Sequence, residues 1–113
     1  MEIFGIGTDI IEIERFESVS EAFMQRCFTE RERERFKSTE SIAGSFAAKE
    51  AVAKALGTGF IFKPSSIEIL HNEAGKPEVV FHTSAAEVAK NKKILLSISH
   101  CKIYATATAI AQS

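Results

Sequence analysis

The chain has almost no net charge, no long apolar run and only two cysteines. Fourteen basic side chains face fifteen acidic ones, for a net charge of −1. No overall basic field therefore draws nucleic acid or a membrane surface, and any charged partner must meet a local patch. No stretch approaches the ~18–20 apolar residues of a membrane span. The opening Met1-Glu2-Ile3-Phe4-Gly5 has no basic region ahead of an apolar one, so a signal peptide is not expected. Cys27 and Cys101 form no CxxC pair, and reduced thiols in a cytosolic protein are the expectation. Repeats, low-complexity tracts and linkers are missing too. The 113 residues read as a single domain with a modest core, to which oligomerisation would add burial.

What is there alternates between strand and helix patterns. Residues 2–14 read as a strand, rich in β-branched side chains and free of proline. Both of its faces are apolar near the middle, which predicts a largely buried strand. Residues 15–25 carry Phe16, Val19 and Phe23 at helical spacing and predict a short helix. Thr29 and Glu32 form a capping box for a charged helix over 30–37. Ser41 is a cap for a longer helix over 42–56, stopped by Gly57. A loop over 57–65 leads to a hairpin of strands 67–70 and 78–81 around the punctuated turn 72–77. A helix over 84–90 and strands over 94–99 and 103–110 complete the chain. The pattern is α+β with a mainly antiparallel sheet.

Three features carry chemistry. Asp9 is a carboxylate in an apolar strand, costly unless it is paired, hydrogen-bonded or bound to a metal. Gly5 and Gly7 beside it leave room for a ligand or another backbone. A strand-end aspartate bonded to nearby amides explains it equally well. Along the long helix, Ala43, Ala47, Ala51 and Ala55 make a stripe of small side chains. Phe46, Glu50 and Lys54 run beside them. Glu50 and Lys54 have the spacing of an ordinary exposed helical ion pair, worth about 0.3–0.5 kcal/mol. With Asp9 they also match what magnesium takes: one or two carboxylates plus substrate phosphate. Gly57-Thr58-Gly59 is a routine helix stop or a set of amides suited to phosphate. His100 closes Ser97-Ile98-Ser99-His100. No GxSxG elbow accompanies it, so a serine–histidine nucleophile is not expected. It is either a turn histidine bonded to backbone or a hydrogen-bond donor to a phosphate.

These pieces, in order, resemble the small bacterial 4′-phosphopantetheinyl transferases, the holo-acyl-carrier-protein synthase family. The resemblance rests on Gly5 to Ile13 with Arg15, then Phe46-Ala47-Ala48-Lys49-Glu50-Ala51 with Lys54 and Gly57-Thr58-Gly59. Ile67-Glu68-Ile69, Asn72, Gly75-Lys76-Pro77 and Ser97 to His100 with Tyr104-Ala105 continue it. The resemblance implies transfer of phosphopantetheine from coenzyme A to a serine of apo-acyl carrier protein, releasing adenosine 3′,5′-bisphosphate. It implies that Asp9 and Glu50 hold Mg²⁺, with Lys54 on the pyrophosphate. Catalysis is thus expected from Asp9, Glu50 and Lys54, with Glu50 ahead of Asp9 as base. His100 and residues Gly57, Thr58 and Gly59 would hold coenzyme A phosphates, and Arg15 would meet the carrier. It further implies a homotrimer with active sites between subunits.

Two departures stand out. Ser45 occupies a position where the family commonly has arginine, so one phosphate contact is either missing or supplied by another residue such as Lys49 or Lys63. Residues 17–25 carry no basic side chain, so the carrier contact passes to Arg26 or to Arg31, Arg33 and Arg35, the last three of which also read as a solvated helix face balanced by glutamates. A catalytically weak subunit or binding module that keeps a nucleotide pocket, and a metal-dependent phosphohydrolase, are the competing readings.

Overall fold

The computed structural model describes residues 2–59, 61 and 63–113. Strand β1 (Ile3–Glu12) opens the chain and ends in a 3₁₀ turn, Ile13–Phe16. Helices α1 (Glu21–Cys27), α2 (Glu30–Arg35) and α3 (Thr39–Leu56) follow. A second 3₁₀ turn, Pro64–Ser66, leads into β2 (Ile67–His71) and β3 (Pro77–Phe81). Helix α4 (Thr83–Val88) and strands β4 (Lys93–His100) and β5 (Tyr104–Gln112) complete the order. The strands form two antiparallel sheets, β1-β5-β4 and β2-β3. The α+β expectation holds.

Small side chains on both partners bring α3 close to the three-stranded sheet. Ala43, Ala47, Ala51 and Ala55 of α3 are buried, as are Ala105, Ala107, Ala109 and Ala111 of β5. Alternate residues of a strand share a face, so the β5 alanines present one flat surface to the helix. Gly5 and Gly7 extend that surface onto β1. A Cβ at Gly5 would stand 2.0 Å from the Ala55 carbonyl oxygen, and one at Gly7 would stand 1.9 Å from that of Ala51. The space beside Asp9 therefore serves another backbone, that of α3.

The capping box of α2 is as expected: Thr29 Oγ1 accepts from Glu32 N, and Glu32 Oε1 accepts from Thr29 N. Gly57 closes α3 at φ +80°. The turn after β2 is held by Asn72 Oδ1, which accepts from the amides of Ala74 and Lys76.

Three expectations need correction. Both faces of β1 do not enter the core, for Ile6 is 67% and Ile10 64% exposed. Among the described residues α3 is the one layer that covers this sheet, and the opposite face stays open. The segment 15–25 is not one helix. Its first residues belong to the 3₁₀ turn, and α1 starts afresh behind Ser20, whose Oγ accepts from Phe23 N. Phe16, Phe23 and Phe46 nevertheless cluster, with ring centroids 5.4–6.1 Å apart. Finally, α3 begins three residues earlier than Ile42, because Ser38 rather than Ser41 caps it and accepts from the Ser41 amide.

Candidate active site

Asp9, Glu50 and Lys54 meet at the seam between β1 and α3. Asp9 lies on the helix-facing side of its strand, in one row with Ala107 and Ile98. The Lys54 ammonium donates to the Thr8 carbonyl at 2.9 Å and to Asp9 Oδ1 at 3.4 Å. The alternative reading, a Glu50–Lys54 ion pair, does not hold among the described residues, since Lys54 turns to the strand instead. Burial and the neighbouring Asp9 carboxylate push the Glu50 pKa up, with Lys54 opposing them. The Asp9 carboxylate is thus near enough to act on Glu50 electrostatically, and one cation is attached to the strand.

That donor set fits a magnesium ion, which takes one or two protein carboxylates and completes its shell with water and phosphate oxygens. Asp9 and Glu50 are its candidate ligands. Among the described residues, no group of three or more His, Cys, Asp and Glu converges on one point. The pair therefore suits a metal that the substrate helps to hold, not a closed structural site.

The remaining candidates are spread more widely. Gly57 and Gly59 both have positive φ. The amides of Gly57 and Thr58 donate to the carbonyls of Lys54 and Ala53. They are thereby engaged by the helix end. Ser45 and Glu50 leave α3 ~140° apart at 3.6 residues per turn, on different flanks. On the Ser45 flank, a cavity of about 580 Å³ is lined by Arg35, Gly44, Ser45, His71 and His100, among others. His100 shares the helix-facing side of the sheet with Asp9, but two strands away. That separation is roughly 10 Å across the sheet. The fold thus groups Asp9 with Glu50 and Lys54, and His100 with Ser45, on two sides of one helix.

Lys49 is not in either group. It is fully buried, 2.8 Å from the Glu32 carboxylate, and donates to the carbonyls of Pro64 and Ile67. All three ammonium protons have interior partners, so Lys49 has none for a phosphate. Lys63 lines a separate groove with Arg33 and His82. Arg15 is exposed in the 3₁₀ turn after β1, and the Arg26 guanidinium lies 5.6 Å from the Phe23 ring centre.

A family model described as the 4′-phosphopantetheinyl transferase superfamily matches residues 5–109. The chain belongs to this superfamily. It is 48% identical to a holo-[acyl-carrier-protein] synthase of Caldanaerobacter subterraneus subsp. tengcongensis, over 98% of this chain and 95% of that one. It is 40% identical to the holo-(acyl-carrier-protein) synthase of Bacillus anthracis, whose crystal structure was solved in complex with CoA (3′,5′-ADP). The TM-score there is 0.83, with 98% of this chain and 97% of that chain covered. The Neisseria meningitidis holo-[acyl-carrier-protein] synthase structure matches at a TM-score of 0.89, with 31% identity, 99% of this chain and 100% of that one.

Within this transferase fold, two buried charges escaped the sequence reading. Glu32 and Glu68 are each 1% exposed, although the segments around them read as a solvated helix and a strand. Glu32 accepts from Lys49, from Ser45 Oγ and from the amides of Thr29 and Ile69, joining α2, α3 and β2. Burial alone would raise Glu68. Hydrogen bonds from Arg31, Thr29 and His82 outweigh it and hold the carboxyl down at about 2. The capping box was the available signal for Glu32, because its side chain was already assigned an inward partner. Glu68, set between Ile67 and Ile69, gave no comparable signal.

Proposed function

We propose that the chain transfers the 4′-phosphopantetheine group of coenzyme A to a serine of apo-acyl carrier protein. The meeting of Asp9, Glu50 and Lys54 in a member of this superfamily carries the reading. Asp9 and Glu50 would hold Mg²⁺ on the side where the coenzyme A pyrophosphate binds. What the ion supplies when bound is charge neutralisation on the phosphate oxygens. Lys54, fixed to β1 through the Thr8 carbonyl, adds a positive charge at that pyrophosphate. Glu50 is the preferred base, its pKa raised by burial and then by the Asp9 charge. The serine oxygen forms a bond to the phosphorus that bears the pantetheine arm. The bond from that phosphorus to adenosine 3′,5′-bisphosphate breaks, and the serine proton passes to Glu50. Phosphoryl-type transfer of this kind needs mainly positioning and neutralised charge.

His100 holds a further phosphate of coenzyme A, while Arg15 and Arg26 meet the carrier. The working unit is a homotrimer with active sites between subunits. Two observations support this. The open face of β1-β5-β4 exposes Ile6, Ile10 and Leu95. One chain also keeps His100 and the Asp9 cluster on different flanks of α3, so a neighbouring copy can unite them. Cys27 and Cys101 are unbridged thiols, which supports action in the reducing cytoplasm.

The test is incubation with coenzyme A, Mg²⁺ and apo-acyl carrier protein, followed by intact mass measurement. The carrier gains the phosphopantetheine mass and adenosine 3′,5′-bisphosphate appears in equal amount. A panel of carriers that all keep their apo mass overturns the proposal.

A further inference from the structure

Coenzyme A carries two separate phosphate groups, a pyrophosphate and a 3′-phosphomonoester. On the proposed reading, the pyrophosphate belongs to Asp9, Glu50 and Lys54. A phosphomonoester is a second concentrated anion and needs its own cationic donors. Neither cation suggested by the sequence serves: the Lys49 donors are taken in the interior, and Lys63 lines another groove.

The cavity that holds Ser45 and His100 contains a different cation. Arg35 comes from the last turn of α2 and lines the wall beside them. Its Nη1 donates to His71 Nδ1 at 2.7 Å. That contact requires a neutral His71 ring with its proton on Nε2. Burial and the adjacent Arg35 charge both lower the His71 pKa, which keeps the ring in that form. No carboxylate pairs with Arg35 among the described residues, although Glu34 and Glu40 also line the cavity. One edge of the guanidinium is therefore anchored while its other donors remain for a ligand. A planar fork fixed in this way suits two oxygens of one phosphate. The cavity volume lies within the usual range for small-ligand sites, about 300–1,000 Å³. Its floor is kept low by Gly44, where a Cβ would come within 3.1 Å of Ile98.

We infer that Arg35, anchored on His71, binds the 3′-phosphate of coenzyme A in the cavity it shares with Ser45 and His100. Ser45, at a position where the family commonly has arginine, lines the same cavity. The inference rests on the transferase reading for the identity of the ligand. Its specificity-determining residue, however, is one that the family motif does not mark.

The experiment compares coenzyme A with 3′-dephospho-coenzyme A, by calorimetric binding and by transfer kinetics. Wild type prefers coenzyme A. Arg35→Ala raises the KM for coenzyme A by roughly tenfold or more, the loss of a charge-assisted hydrogen bond. Its kcat stays close to wild type, and its preference between the two donors collapses. Arg35→Gln gives the same collapse while keeping most of the side-chain volume, and circular dichroism establishes that both variants are folded. Lys90→Ala removes one exposed positive charge outside the site and leaves the preference intact. Equal affinity of wild type for both donors, or an undiminished preference in folded Arg35→Ala, overturns the inference. If wild type transfers nothing from either donor, the transferase reading fails separately, and the binding comparison still decides the role of Arg35.

Discussion

Glu50 sits where stability and activity pull in opposite directions. Its folded pKa lies above the ordinary value of 4.5, through burial and then the Asp9 charge. As pH rises from 4.5 through the raised value, the folded chain keeps a proton that the unfolded chain has released. Stability from this group is therefore present below 4.5 and lost as pH rises through that window. Glu50→Gln removes the effect. At pH 7 the variant should lose at least about 100-fold in kcat, the scale of a lost general base. It should also melt about 1–3 °C higher. Thermal melts from pH 4 to 8 check this, and the stability gain should vanish at the acid end. Asp9→Ala should be equally inactive; if both variants retain activity, the metal assignment is wrong. The competing sequence reading of Glu50 and Lys54, an ordinary helical ion pair, fails for a visible reason. Lys54 has a nearer acceptor in the Thr8 carbonyl, supplied by a strand that the helix sequence does not reveal.

At the scale of elements, close approach and buried charge hold α3 in place. Gly7 was legible as a special position, but not the identity of what fills its space. With the Ala51 carbonyl 1.9 Å from where a Cβ would be, Gly7→Ala must push β1 away from α3. Overpacking of this kind costs typically 1–3 kcal/mol, and denaturant unfolding should register at least that loss. The Lys49–Glu32 pair is a second fastening. Lys49→Met leaves the Glu32 carboxylate buried without its cation, a change that costs about 3–5 kcal/mol. The melting point should fall by ~10 °C or more. The double variant Lys49→Met with Glu32→Leu should recover part of the loss, and a double-mutant cycle measures how much. Glu68 sets the acid limit. Its carboxyl titrates at about 2 instead of 4.5. Its contribution is present above pH 4.5 and is lost as pH falls toward 2. Arg31→Met should move the midpoint of acid unfolding to higher pH, followed by circular dichroism.

For the whole molecule, the informative surface is the uncovered side of β1-β5-β4. A sheet covered by one helix layer leaves its other face available for a partner. The proposed trimer uses that face. Ile10→Glu should leave a folded chain that sediments as a monomer, and transfer activity should fall with it. A variant that stays trimeric and active removes the open sheet from the interface. Arg15→Ala tests the carrier contact at the same scale. Its KM for carrier should rise more than its KM for coenzyme A, and equal effects count against docking there.

Local chemistry in the sequence determined the helix caps at Thr29 and Gly57, the β2–β3 turn, the small-residue stripe of α3 and the ordered family motifs. Each depends on residues close in the chain or on a pattern of fixed spacing. The tertiary structure alone decided which charges are buried, which face of β1 is open and where the site residues gather. Those outcomes depend on partners far apart in sequence: Asp9 with Lys54, Lys49 with Glu32, and Arg35 with His71. A charged side chain has the same appearance in a sequence whether water or a buried counter-charge completes it. Packing supplies the difference.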